Sequence, residues 1–336
     1  MRRLGLFALI GVALVAVSYL GWVYGRSTAP AAPVTLVIER GASSARIAAQ
    51  LKQAGVIDHA WAFDALVRLT GRSGRLRSGY YHFEGPASIP HVMERMLRGD
   101  VMRFSVTIPE GLRTDEVLAM LATETGTPEQ VWQQALDKLL PKGKQEGRLL
   151  PETYDYEKPV DPGAMLARMI KAQDKVLAAA VASEPGTDTA NQIRIIASII
   201  EKETHLDKER PLIAAVIYNR LQKHMPLQMD PTVIYGIWAT EGSFSGNLHK
   251  ADMQRDTPWN TYTRRGLPPT PVCNPGKASI EAAANPAEVD YLYFVADGTG
   301  GHAFASTMAQ HEANVQRWIH IYHEQEQVRQ KDAKGE

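Results

Sequence analysis

The stretch IASIIEKETHL at 196–206 closes an apolar run with two glutamates separated by one lysine. Ile196, Ile199, Ile200 and Glu203 stand at i, i+3, i+4 and i+7, the spacing of one α-helical stripe. Glu203 is therefore expected to continue a buried face. Glu201, turned about 200° from it at ~100° per residue, is expected to meet solvent. A carboxyl at the inner end of an apolar stripe loses water, which disfavours its charged form and raises its pKa. That is the state a general acid needs near neutrality. The same position also suits a salt-bridged carboxylate, with Arg194, Arg210 and Arg220 as available partners. Spacing alone leaves both readings open.

Other reactive side chains point elsewhere. His205, His249, His302 and His311 lack the tight spacing of a zinc site, such as two histidines four apart, so no metal or other cofactor is expected. Cys273, the single cysteine, excludes an intramolecular disulfide and a thiolate metal cluster. It lies between Pro271 and Pro275 without an evident histidine base, which argues against a nucleophile. GTGG at 298–301 reads as a hairpin turn and not a phosphate loop, since no lysine or helix start follows in register.

These residues need elements to hold them. After the glutamates, a second helix is expected from Pro211, presenting Leu212, Val216, Asn219 and Arg220 and breaking at Pro226. A proline-rich irregular stretch follows at 258–276, then a helix near 279–284, a strand at 291–297 and a C-terminal helix near 306–328. Upstream, residues 34–56 alternate in period two before switching to helical spacing at Ile47, Leu51 and Val56. Ser43 and Ser44 are candidate N-caps and Gly55 a stop. A related pattern returns at VTIPEGLRTDEVLAML: Gly41 matches Gly111, Ser44 matches Thr114, Ile47 matches Val117 and Leu51 matches Leu121. Between the copies lie a helix near 60–70, a strand at SGYYHF and a helix at IPHVMERML. The first copy looks like a LysM-type module, a small carbohydrate-binding fold of strand–helix–helix–strand layout; a plain structural spacer is the other reading.

The N-terminus carries Met1-Arg2-Arg3 and then Leu4 to Tyr24 without a charged residue. Such a helix spans roughly 30 Å, the thickness of a bilayer core, and exceeds the apolar region of ~7–15 residues in a signal peptide. Arg2 and Arg3 favour a cytoplasmic N-terminus. Tyr19, Trp22 and Tyr24 sit where interfacial anchors belong. The 336-residue chain balances 37 basic against 37 acidic side chains, which argues against a nucleic-acid-coating protein.

The stretches ASIIEKET, YNRL, LQMDPTVIYG, NTYTRRGLPPTPVCNPG, NPAEVDYLYFVADGTGGHAF and HEANV together resemble the MltG/YceG-like endolytic murein transglycosylases, over most of residues 190–315. The resemblance implies that Glu203, the second glutamate of EKE, is a catalytic acid and then base on the glycan strands of peptidoglycan. It implies a groove whose candidates are Asn219, Gln228, Asp230, Tyr235, Asn260 and Tyr262; Asp230 serves equally as a turn former before Pro231, Tyr235 and Tyr262 equally as packing residues, and Asn219 is a candidate to orient Glu203. Glu312 stands where the family more often has asparagine, which bears on the hydrogen bonding around His311.

The expected fold is α+β. Its parts are a cytoplasmic stub and transmembrane anchor (1–26), a linker (27–33), a LysM-like α+β region (34–125) and a connecting segment (126–165). A helix-rich catalytic domain with a short β element (166–325) and a polar tail (326–336) follow. The implied location is the inner membrane, with the catalytic domain periplasmic and peptidoglycan synthases or division proteins as candidate partners. Two other readings remain: a non-catalytic peptidoglycan-binding scaffold, and a muramidase-type hydrolase.

Overall fold

The computed structural model describes the backbone of residues 2–181 and 187–334, with side chains except at 2–6, 8, 187, 188 and 326–334. The chain forms two compact units, residues 1–105 with 155–160, and residues 106–154 with 161–336.

The first unit begins with α1 (Arg2–Gly25), β1 (Ser27–Thr28), β2 (Val34–Ile38), α2 (Ser44–Gln53), α3 (Ala60–Leu69) and β3 (Gly79–Phe83). β4 (Ala87–Ser88), α4 (Ile89–Arg98) and β5 (Arg103–Thr107) follow. β2 and β3 pair antiparallel, Val34 opposite Phe83 and Ile38 opposite Gly79, which is the strand–helix–helix–strand order expected. Helix α2 starts where Ser43 accepts a hydrogen bond from the Arg46 amide at 3.2 Å, satisfying one orphan donor of the first turn. The alternating strand residues and helical stripes meet in a core that includes Ile38, Leu51, Phe63, Tyr81 and Met96.

α1 exposes Leu9, Val12, Val15 and Val17, while Val23 joins the core of its unit. Among the described residues no helix is long and apolar enough to cross a membrane. The side chains of residues 2–6 and 8, part of the expected span, lie outside the described residues.

The second unit contains α5 (Thr114–Thr125), α6 (Glu129–Leu139), the start of β6 (Thr153–Glu157), α7 (Pro162–Ala180), α8 (Thr187–Glu203), α9 (Arg210–Gln222) and α10 (Asp230–Glu241). After a short 3-10 turn come α11 (Lys277–Ala284), β7 (Tyr293–Ala296), β8 (His302–Ala305) and α12 (Met308–Lys334). The two copies of the strand–turn–helix pattern share a device: Gly41 (φ 80°) and Gly111 (φ 77°) each turn left-handed shortly before their helix. β7 and β8 form the hairpin that GTGG predicts, with Gly298 and Gly300 at positive φ. Of the polar tail, the backbone stays helical to Lys334, and its side chains lie outside the described residues.

α8 is packed by α7, α9, α10 and α11. Its residues are buried continuously from Ile193 to Glu201. This overturns the expectation that Glu201 meets solvent: Glu201 is 4% exposed. Periodicity marks the more apolar stripe, but a helix enclosed on all sides has no wet face.

Candidate active site

Glu203 is the last residue of α8. The apolar stripe behind it, Ile196, Ile199 and Ile200, is fully buried in the core of the unit. Glu203 itself is half-buried, and loss of water around its carboxyl pushes its pKa up to about 8, with the Asp230 carboxylate adding to the rise. Among the described residues no ion pair involves it, and the three candidate arginines are committed elsewhere. Arg194 donates to Gln173 and lies by Asp174, and Arg210 pairs with Asp207. Arg220 donates to the carbonyls of Leu227 (2.7 Å) and Leu292 (2.6 Å). The open alternative closes in favour of an unpaired, protonated carboxyl.

Three of the expected residues gather here. Asp230 opens α10, where a negative charge suits the helix N-terminus. The Tyr262 hydroxyl donates to Asp230 Oδ1 at 2.6 Å, and burial, Asp230 and Glu203 all hold that phenol protonated. Gln228, exposed and at φ 53°, reaches Arg220 through its side-chain oxygen at 3.4 Å. The loop bearing Tyr262 is tied to α10 by Thr261 Oγ1, which accepts from the Met229 amide at 3.0 Å and bonds Thr232 Oγ1 at 2.8 Å.

The other three act in support. Both amide hydrogens of Asn219 go to backbone carbonyls, Val289 at 2.8 Å and Tyr291 at 3.0 Å, so it anchors the approach to β7 instead of orienting Glu203. Asn260 is fully buried; it donates to Met253 and Arg255 carbonyls and accepts from the Tyr262 amide at 2.8 Å, shaping the loop. The Tyr235 hydroxyl donates to Glu146 Oε2 at 3.1 Å, inside the unit.

The EKE triplet divides its labour. Glu201 Oε2 accepts the amide of Gly276, the N-cap of α11, at 2.9 Å. Lys202 donates to the Gly111 carbonyl at 3.2 Å. Only Glu203 of the three is left without such a tie among the described residues.

The sequence model of the YceG-like family matches residues 36–317. This chain belongs to the YceG-like family. A Bacillus subtilis protein named endolytic murein transglycosylase is 32% identical to it over 314 residues, 85% of each chain. A Streptococcus pneumoniae protein of the same name is 29% identical over 322 residues, 84% of this chain and 58% of that one. A Listeria monocytogenes protein described as YceG-like has a crystal structure that superposes with a TM-score of 0.55 at 29% identity, covering 84% of this chain and 98% of that one.

This YceG-like chain also holds residues that spacing does not flag. Glu209 is 4% exposed and takes bonds from Thr204 Oγ1 (3.1 Å), the His302 amide (2.9 Å) and His302 Nδ1 (2.7 Å). Desolvation works upward on it, but these bonds together hold it below the usual carboxylate range. The network fastens Thr204, directly after Glu203, to β8. Glu146 is pushed up to about 7 by burial, against bonds from Thr114, Gly147 and Tyr235. Local spacing marks neither glutamate, because His302 lies 93 residues from Glu209, and Thr114 and Tyr235 lie 32 and 89 residues from Glu146. His311 stacks on Tyr293 at 5.2 Å, its Nδ1 buried and without a hydrogen-bond partner among the described residues, and desolvation lowers its pKa. Glu312 beside it is exposed. Cys273 is enclosed, and burial pushes its thiol well up, which suits packing rather than nucleophilic attack.

Proposed function

We propose that this chain is an endolytic murein transglycosylase. It would cleave the bond between N-acetylmuramic acid and N-acetylglucosamine without water and leave a 1,6-anhydromuramyl end. The observation that carries the reading is Glu203: an unpaired carboxyl with its pKa raised to about 8, beside Asp230 and Tyr262. The shared family and the names of the Bacillus and Streptococcus relatives support it.

Glu203 arrives protonated at neutral pH and gives its proton to the bridging oxygen as the glycosidic bond breaks. The resulting carboxylate then takes the proton from the C6 hydroxyl of the muramyl ring, which closes onto the anomeric carbon. One carboxyl serves both steps because no water has to be activated. Asp230 contributes negative charge next to a sugar ring that becomes cationic in the transition state. Mass spectrometry of digested murein tests this: anhydromuramyl ends from the wild type and none from Glu203→Gln are expected. Unmodified glycan with wild-type protein counts against it and favours a binding scaffold.

Asp230 also supports a second reading. Two carboxyls at one site can run a muramidase-type hydrolysis, the second activating water. Reducing ends among the products would select it.

The exposed apolar side chains of α1 support single-pass anchoring in the inner membrane, N-terminus cytoplasmic and the rest periplasmic. Fractionation of cells expressing full-length and 27–336 chains tests it; full-length protein released by salt alone would sink it. In the first unit, a cavity of about 890 Å³ between the Gly41–Ser44 turn and the Ser73–Ser78 segment supports LysM-like glycan binding. Retention of the full chain on insoluble murein, lost on filling that cavity with Ser43→Trp, is the check.

A further inference from the structure

A concavity of the second unit lies next to the Glu203 end of α8. Lys202, Ile234, Trp238 and Phe244 border it, with Arg113 and Glu116 opposite, around a volume of about 570 Å³. That falls within the ~300–1,000 Å³ of pockets that hold small ligands. Asp230, Ile234 and Trp238 follow one another at i, i+4 and i+8 of α10. The pocket thus continues one face of the helix about 12 Å beyond Asp230, at 1.5 Å per residue.

Its charges are unequal. Of the lining charges, Arg113 and Glu116 pair with each other at 3.1 Å and cancel; Arg113 also pairs with Asp115 outside the lining (3.1 Å) and lies over the Trp238 ring at 4.2 Å, which fixes the indole. The Lys202 ammonium meets only the neutral Gly111 carbonyl at 3.2 Å, with no acid paired to it among the described residues. An apolar wall beside an uncompensated ammonium suits a ligand with a carboxylate and a hydrocarbon body. A neutral sugar ring would use the indole and leave the ammonium unanswered.

We propose that this pocket receives the short peptide borne by the muramyl sugar, its carboxylate at Lys202 and its side chains against Ile234 and Trp238. The inference rests on the transglycosylase reading, in which the sugar sits at Glu203 and Asp230. The reach agrees: three to four extended residues span roughly 10–14 Å.

Calorimetry on the full chain carrying Glu203→Gln, which binds without turnover, provides the test. The probes are a GlcNAc–MurNAc disaccharide bearing its tetrapeptide and the same disaccharide with the peptide removed. The peptide-bearing probe should bind about tenfold tighter. Lys202→Met and Trp238→Leu, each in that background, should erase the preference while the bare probe binds as before, and Lys202→Arg should keep it. Equal affinities, no binding of the peptide-bearing probe, or a preference surviving both substitutions overturns the proposal. Absence of anhydromuramyl products from wild type alongside an intact binding preference would instead sink the reaction and leave the pocket standing.

Discussion

Gly276 gives its backbone amide to Glu201 Oε2 at 2.9 Å, so a buried carboxylate caps the N-terminus of α11 from inside α8. The helix dipole favours a negative charge there. The same charge, after desolvation, helps push up the pKa of nearby Glu110. Glu201→Ala should therefore destabilise the chain by about 2–3 kcal/mol, by the loss of a charge-assisted bond and the stranding of a buried amide. Glu201→Gln keeps an acceptor and should cost roughly half as much. Urea unfolding midpoints check both, and unchanged midpoints would mean the contact contributes nothing.

Glu203→Gln should lower turnover by at least about a thousandfold, the scale of removing a proton-transfer group that acts twice. Its effect on stability should have the opposite sign. Glu203 titrates near 8 in the folded chain against 4.5 for the free group, so its ionisation opposes folding as pH rises between those values. The variant should thus melt above wild type at pH 8–9 and together with it below pH about 4.5. Melting curves across that range decide it.

Asp230→Asn removes a negative charge that helps keep Glu203 protonated. The Glu203 pKa should fall, and the alkaline limb of the kcat/KM profile should move to lower pH. A limb that stays in place would detach Asp230 from the titration of Glu203.

Gly147 stands at φ +73°, and a Cβ there would meet the Pro271 ring at 2.6 Å and the Cys273 carbonyl at 3.2 Å. Both the backbone and a rigid neighbour resist a side chain. Gly147→Ala should cost about 2–3 kcal/mol or more. That corresponds to roughly 5–10 °C in Tm for a chain of this class. An unchanged melt would show that the 147–149 turn yields easily.

Much of the scaffold can be read along the chain. The 196–200 stripe, the Ser43 cap, the Gly41 and Gly111 turns and the glycine hairpin at 298–301 all depend on neighbours within a few residues, and all are present. Local geometry is encoded where it acts. Glu203, too, is singled out by a stripe only eight residues long, Ile196 to Glu203.

The destinations of the polar groups are a different matter. Glu201, Asn219, Tyr235 and Leu149 find their partners 75, 70, 89 and 125 residues away. Spacing on a single helix tells which side is more apolar. Whether the other side is also covered depends on how many helices close around it, and four close around α8. By itself the sequence determined a family, a set of elements and one glutamate at the end of an apolar stripe. Only the tertiary structure decided that Glu201 is a buried cap, that Asn219 is an anchor and that Glu203 makes no ion pair among the described residues. A desolvated group takes whatever partner the packing supplies, and packing is a property of the whole unit.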